Sequence, residues 1–190
     1  MKNKHLSKLL LLFIFIFIVS FNTLPMKPLP SITPYGIVEI CPEIEVFEIE
    51  IKPSLLDFLM SIGFRESGNN YLRVNKYGYL GKYQFGKATL KSLGIKTTTY
   101  NFLYSPELQE SAMLQLLQHN KKSLDYYIKK YQGKVFRNIF ITESGILAAA
   151  HLGGAGNVRK FFKHREIFKD GNGTKITTYM EQFSGYELNL

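Results

Sequence analysis

Phe64-Arg65-Glu66-Ser67-Gly68, followed by Gly81-Lys82-Tyr83-Gln84-Phe85-Gly86, is the stretch from which the rest of the chain is read. Glu66 is the only carboxylate between Asp57 and Glu107. From Ser67 to Pro106 the charged residues are Arg73, Lys76, Lys82, Lys87, Lys91 and Lys96, all cationic. Tyr71, Tyr77, Tyr79 and Tyr83 are interleaved with glycines. One acid, alone among tyrosines, glycines and cations, needs a reason to be there.

Upstream of Glu66 the pattern is helical. Ser54 is a natural N-cap, and Asp57 suits a first helical turn. Leu55, Leu56, Phe58, Leu59 and Ile62 repeat at helical spacing. Gly63 weakens the helix, and Gly68 with Asn69-Asn70 ends it. Glu66 then falls in the last turn, where the helix dipole disfavours a negative charge. A local rule broken without visible compensation is where a functional residue is expected. Asn75 to Gly86 is too rich in Gly, Tyr and charge for a regular helix and reads as a loop or a short twisted hairpin. Lys87 to Leu93 reads as a short helix stopped by Gly94.

Downstream, Ser105-Pro106-Glu107 is a helix start: N-cap, Pro at the first position, acid in the first turn. Leu108, Ala112, Leu116 and Leu117 continue an apolar face. The pattern breaks near Asn120 and resumes through Leu124, Tyr127, Ile128 and Tyr131 to Gly133. Thr142 caps another helix through Ile146, Leu147 and Ala150, with Glu143 as its first-turn charge. Gly153-Gly154 breaks it, and Ala155 to Phe162 is helical again. An exposed turn, Asp170-Gly171-Asn172-Gly173, precedes a last helix containing Tyr179, Met180 and Phe183. The expected fold class is mainly α. Residues 53–190 form a multi-helix domain, with a short hairpin or loop lobe beside the helix that carries Glu66.

The first 52 residues are of another kind. Lys2, Lys4 and Lys8 precede an unbroken apolar run from Leu9 to Val19, so residues 1–24 read as a signal peptide or membrane anchor. Residues 25–52 read as a Pro/Glu-rich linker. Pro25, Pro28, Pro30 and Pro34 open it, and Ile37 to Ile51 alternates acidic and apolar residues like an edge strand or spacer. The expected location is outside the cytosol: periplasmic, secreted, or anchored to the inner membrane and facing the periplasm.

A chain of 190 residues, 45% hydrophobic and 14% aromatic, can bury a core in one domain. Disorder throughout is excluded by the same figures. The formal net charge is +9, of which Lys2, Lys4 and Lys8 supply three. The remainder still suits a polyanionic partner: nucleic acid, an anionic membrane surface or an acidic wall polymer. The basic residues are scattered singly, without the clustered tract that would favour nucleic acid, and export argues against it. Cys41 is the only cysteine, so no intrachain disulfide and no Cys-based zinc site can form. His5, His119, His151 and His164 lack metal-ligand spacing. Asp170-x-Asn172-x-Thr174, with Glu181 at the twelfth position, imitates a calcium loop. Lys175 stands at the sixth position, where Gly is required, so a solvated turn is the reading. No metal and no cofactor is expected.

Cleaving a glycosidic bond needs an acid to protonate the leaving oxygen, whereas a free Glu has a pKa of about 4.3. A Glu at a helix end, covered by Tyr and Leu, can be held neutral by desolvation. The nearby lysines should then lie along the cleft rather than against Glu66. Conventional hydrolysis employs a second carboxylate. The adjacent sequence offers none, whereas one Glu acting as acid and then base, with a substrate hydroxyl as nucleophile, needs none.

Phe64 to Gly68, Asn75 to Gly78 and Gly81 to Phe85 resemble the lytic transglycosylases of the lysozyme-like superfamily, whose pattern is a Glu-Ser at a helix end followed by a Gly-x-x-Gln element. Ala149-Ala150-His151-Leu152-Gly153-Gly154-Ala155-Gly156-Asn157-Val158 is similar to that family's Ala-Tyr-Asn-x-Gly element, and Tyr179 lies where a late Tyr is expected. The resemblance spans Ser54 to Tyr186. It implies a lysozyme-like domain acting on peptidoglycan glycan strands. Glu66 would protonate the oxygen between N-acetylmuramic acid and N-acetylglucosamine. It would then deprotonate the muramoyl C6 hydroxyl, giving a 1,6-anhydro end. Ser67 would orient Glu66 or contact sugar. Tyr83, Gln84, His151 and Gly153 would belong to the substrate-binding set, and Tyr179 would hydrogen-bond Glu66, with Tyr186 as a competitor for that role. His151 stands where Tyr is usual and Leu152 where Asn is usual. Two alternatives stay open: a muramidase-type hydrolase, and a non-catalytic glycan-binding protein using the same cleft. Tyr71, Tyr77 and Tyr79 read as half-buried packing, although such rings also stack on sugars.

Overall fold

The structure is a computed structural model, and it describes residues 52–190. The expected signal peptide or anchor, Cys41 and all but the last residue of the expected linker lie outside the described residues. Six helices carry the domain: α1 (Leu55–Ser67), α2 (Lys87–Ser92), α3 (Thr99–Leu103), α4 (Pro106–Tyr131), α5 (Glu143–His164) and α6 (Ile176–Gln182). Between α4 and α5, β1 (Val135–Phe136) and β2 (Ile139–Phe140) pair antiparallel. The domain is mainly α.

α1 starts on a reciprocal cap. Asp57 N–H donates to Ser54 Oγ, and Ser54 N–H donates to the Asp57 carboxylate at 2.8 Å. Phe58 and Ile62 are fully buried on its inner face. At its other end Gly68 takes a left-handed conformation, φ 70°. Its N–H reaches Phe64 O at 2.9 Å, and that of Asn69 reaches Gly63 O at 3.0 Å. Glu66 therefore sits in the closing turn, one residue before the helix ends.

α4 runs unbroken for 26 residues, which corrects the expected break near Asn120. Asn120 is buried, between buried Leu116, Leu117 and Leu124. Packing on either side overrides its weak helix preference. Ser105 holds the N-cap position without a side-chain hydrogen bond, so Pro106 and Glu107 are the start signals that operate. Two elements had no sequence expectation. Thr98 caps α3 by accepting from Asn101 N–H at 3.1 Å. The β1–β2 turn uses Arg137 and Asn138, both at positive φ. Such turns usually contain Gly, so Arg-Asn is a faint signal.

α5 is the central helix: Ser144 to Ala150 are all buried, which fits a helix apolar on nearly every side. Thr142 caps it through Gly145 N–H at 3.1 Å. Gly154, at φ 77° and ψ 152°, kinks it in a conformation open essentially to glycine alone. Asn157 Nδ2 donates to Gly153 O at 2.9 Å, satisfying a carbonyl beside the kink. α6 packs against α5.

The segment 68–86 has no regular strand. Isolated bridges Val74–Leu80 and Leu80–Phe85 fold it back on itself, and Gln109 of α4 fastens it. Fully buried, Gln109 accepts from Lys82 N–H at 2.8 Å and donates to the carbonyls of Phe102 at 2.8 Å and Tyr71 at 3.0 Å. The lobe beside α1 is thus a loop pinned to α4, not a hairpin.

Candidate active site

Glu66 opens into a cavity of about 320 Å³. Tyr77, Tyr79, Gln84, His151 and Leu152 line it with Glu66, together with Asn75, Asp170, Gly171 and Asn172. α1 brings Glu66, α5 brings His151 and Leu152 just before the kink, and α6 brings Tyr179 beneath.

Tyr179 O–H donates to Glu66 Oε1 at 2.7 Å. Burial raises the Tyr179 pKa, and the Glu66 charge pushes it further up, so the phenol stays a proton donor at neutral pH. Tyr186 instead donates to Ser61 Oγ at 3.0 Å, so the late Tyr at Glu66 is Tyr179. His151 Nε2 lies 3.7 Å from the same Oε1, and the imidazole side chain is only 6% exposed. Burial depresses the His151 pKa, with the Glu66 charge opposing it. The net direction is down, so the ring is neutral at pH 7. Its Nδ1 is buried without a hydrogen-bond partner. Tyr179 and His151 both address Oε1. Among the described residues none donates to Oε2.

Ser67 is committed elsewhere. Its Oγ lies 2.8 Å from Lys82 O and 3.3 Å from Gly63 O, and accepts from Asn70 N–H at 2.9 Å. It therefore ties the end of α1 to the loop carrying Gln84, which places Glu66 and that loop relative to each other. Gln84 lines the cavity at positive φ, and its Nε2 donates to Gly81 O at 2.8 Å.

Three expectations need correction. Tyr83 does not reach the cavity: it is fully buried and donates to Glu110 at 2.6 Å. Gly153 does not line it either. A Cβ there would come within 2.7 Å of Ile176 and 2.8 Å of Phe168, so its smallness serves packing against the start of α6 and the segment before it. No lysine lines the cavity. Lys82, the nearest in sequence to Gln84, is buried and pairs with Glu110 at 2.8 Å.

Glu110 escaped the sequence reading because it is an ordinary helix residue at first sight. In the fold it accepts from Lys82, Tyr83 and Tyr71. Burial alone would raise its pKa, but these hydrogen bonds outweigh burial and the net direction is down. The Tyr71 hydroxyl, desolvated and bonded to Glu110, is pushed up to about 12. Tyr77 and Tyr79, expected as packing, are instead 51% and 44% exposed in the cavity wall. Asp170, read as part of a solvated turn, also lines the cavity. Its alternation with Asn172 and Thr174 was visible, but only the fold carries that turn to Glu66. Among the described residues no group of three His, Cys, Asp or Glu could hold a metal ion, and no helix is long and apolar enough to cross a membrane.

No family model, no curated protein and no solved structure matches the chain.

Proposed function

We propose that this chain is an exported lytic transglycosylase with a lysozyme-like fold, cleaving the bond between N-acetylmuramic acid and N-acetylglucosamine in peptidoglycan. The observation that carries the reading is the 2.7 Å bond from Tyr179 to Glu66 Oε1 at the cavity. A phenol that donates to Oε1 requires that oxygen to accept, which directs the acidic proton to Oε2. From there the proton passes to the glycosidic oxygen as the C1–O bond breaks. The resulting carboxylate takes the proton of the muramoyl C6 hydroxyl, and O6 bonds to C1 to close the 1,6-anhydro ring. The charge that Glu66 gains in the first step is met by the Tyr179 hydrogen bond, and bonds to charged groups contribute about 1.5–3 kcal/mol. The basic surface suits an anionic wall polymer.

A muramidase-type hydrolase is the second reading, favoured by Asp170 in the same cavity. A second carboxylate there would activate water in place of the C6 hydroxyl.

Mass spectrometry of the soluble products from purified peptidoglycan separates these readings. Anhydro-muropeptides are expected, and reducing ends would establish the hydrolase. Glu66→Gln should abolish release but retain binding. Binding without release by the unaltered chain would leave a glycan-binding protein, and full activity of Glu66→Gln would refute the site.

A further inference from the structure

Two chain segments distant in sequence wall the Glu66 cavity, and they touch. The first is the turn at Asn75. Asn75 Oδ1 accepts from Tyr77 N–H at 2.9 Å and Tyr79 N–H at 3.1 Å, while Asn75 N–H donates to Tyr79 O at 3.2 Å. The second is the turn at Asp170. Asp170 Oδ1 accepts from Asn172 N–H at 2.9 Å and Thr174 N–H at 2.7 Å, above a bridge between Lys169 and Lys175. Side chains that hydrogen-bond their own turn hold its backbone in shape, so both tips are fixed. Between the two turns the Tyr77 hydroxyl lies 3.5 Å from Gly171 O. A Cβ on Gly171 would stand 3.7 Å from Tyr77 Cζ, an ordinary packing distance. Lys76 Nζ, 4.9 Å from the Tyr77 ring centroid, backs the ring.

The contact closes the cavity wall between the two turns. Both turns and Glu66 line the same cavity.

We infer that Tyr77 and Gly171 form a bridge that makes the cleft accept the end of a glycan strand and exclude the strand's interior. This rests on Glu66 being the cleaving acid. A strand that ran on past this wall would collide with it, so only a strand end fits the cavity. Cleavage then proceeds from strand ends and releases short products from the first turnovers.

The test follows product length over time on linear, uncross-linked glycan strands for the unaltered chain, Tyr77→Ala and Glu66→Gln. The unaltered chain should release short products while the remaining strands stay long. Tyr77→Ala should give a ladder of intermediate lengths that shortens with time. Tyr77 is 51% exposed, so its removal leaves the core in place, which a thermal melt checks. Identical product lengths from the two chains, short or laddered, overturn the bridge and leave Glu66 standing. No release by the unaltered chain overturns the reading of Glu66. Binding then decides the bridge: Glu66→Gln, with and without Tyr77→Ala, is titrated with a soluble N-acetylglucosamine oligosaccharide and with chitin fibres. Stronger retention on fibres after Tyr77→Ala supports the bridge, and equal retention refutes it.

Discussion

Tyr179 touches the candidate acid through one hydrogen bond and packs its ring against Phe183. Tyr179→Phe keeps the packing and removes the bond. The expected outcome is a loss of about tenfold to a hundredfold in kcat on peptidoglycan, following the 1.5–3 kcal/mol of a charge-assisted bond, with a cooperative thermal melt whose midpoint falls by no more than the loss of that bond accounts for. His151 makes a different prediction. Its pKa in the folded chain lies below the ordinary 6.5. Between those two values the unfolded chain binds a proton that the folded chain does not, so stability falls as pH drops below about 6.5. Thermal melts across that range should show the fall, and His151→Phe should flatten it.

At the scale of elements, the loop bearing Gln84 is fixed to α4 by two adjacent residues, Gln109 and Glu110. Lys82 has a side chain only 5% exposed. Glu110→Gln leaves that ammonium buried without its counter-charge; Glu110 itself is 31% exposed, so the cost falls below the about 3–5 kcal/mol of breaking a fully buried pair. Urea unfolding should show this, and a Glu110→Gln, Lys82→Met double variant should recover much of the loss. The folded pKa of Glu110 is below its ordinary 4.5. The stability it contributes is complete above that value and is lost as pH falls through the lower folded one, an acid window separate from that of His151. The kink in α5 is the second element with a sharp expectation. Gly154→Ala forces a Cβ into a backbone region essentially closed to it and should destabilise by about 1–3 kcal/mol. The Gly-Gly pair announces a break in the sequence. That Gly154 supplies the angle while Gly153 supplies close packing is a distinction only neighbouring atoms make.

For the whole molecule, residues 52–190 hold twenty Lys and Arg against ten Asp and Glu. Part of that excess surrounds a separate cavity, lined by Lys87, Lys91 and Lys96 with Thr97, Thr98 and Thr99. Attraction between such a surface and an anionic polymer is screened over about 8–10 Å at physiological salt. Retention on intact cell wall should therefore weaken as salt rises, whereas binding of a neutral N-acetylglucosamine oligosaccharide should not. Sedimentation of the chain with wall fragments across a salt series measures the first, and calorimetry the second. A mainly helical domain with α1 ending just after Glu66 was legible because capping residues, Gly68 and the apolar repeat are local signals. The breaks at Gly94 and Gly154 were legible for the same reason. The continuity of α4 through Asn120 and the turn at Arg137-Asn138 were not, because partners remote in sequence decide both.

The sequence by itself determined that one carboxylate would stand at the end of a helix in an acid-free, tyrosine-rich stretch, since charge order and helix punctuation are written residue by residue. Only the tertiary structure decided what surrounds it. Tyr179 reaches Glu66 across 113 residues and Tyr77 reaches Gly171 across 94, while Tyr83 turns inward to Glu110 and Asp170 turns toward the cavity. Those outcomes follow from how α5, α6 and α4 pack, and packing is set by contacts that no local pattern encodes.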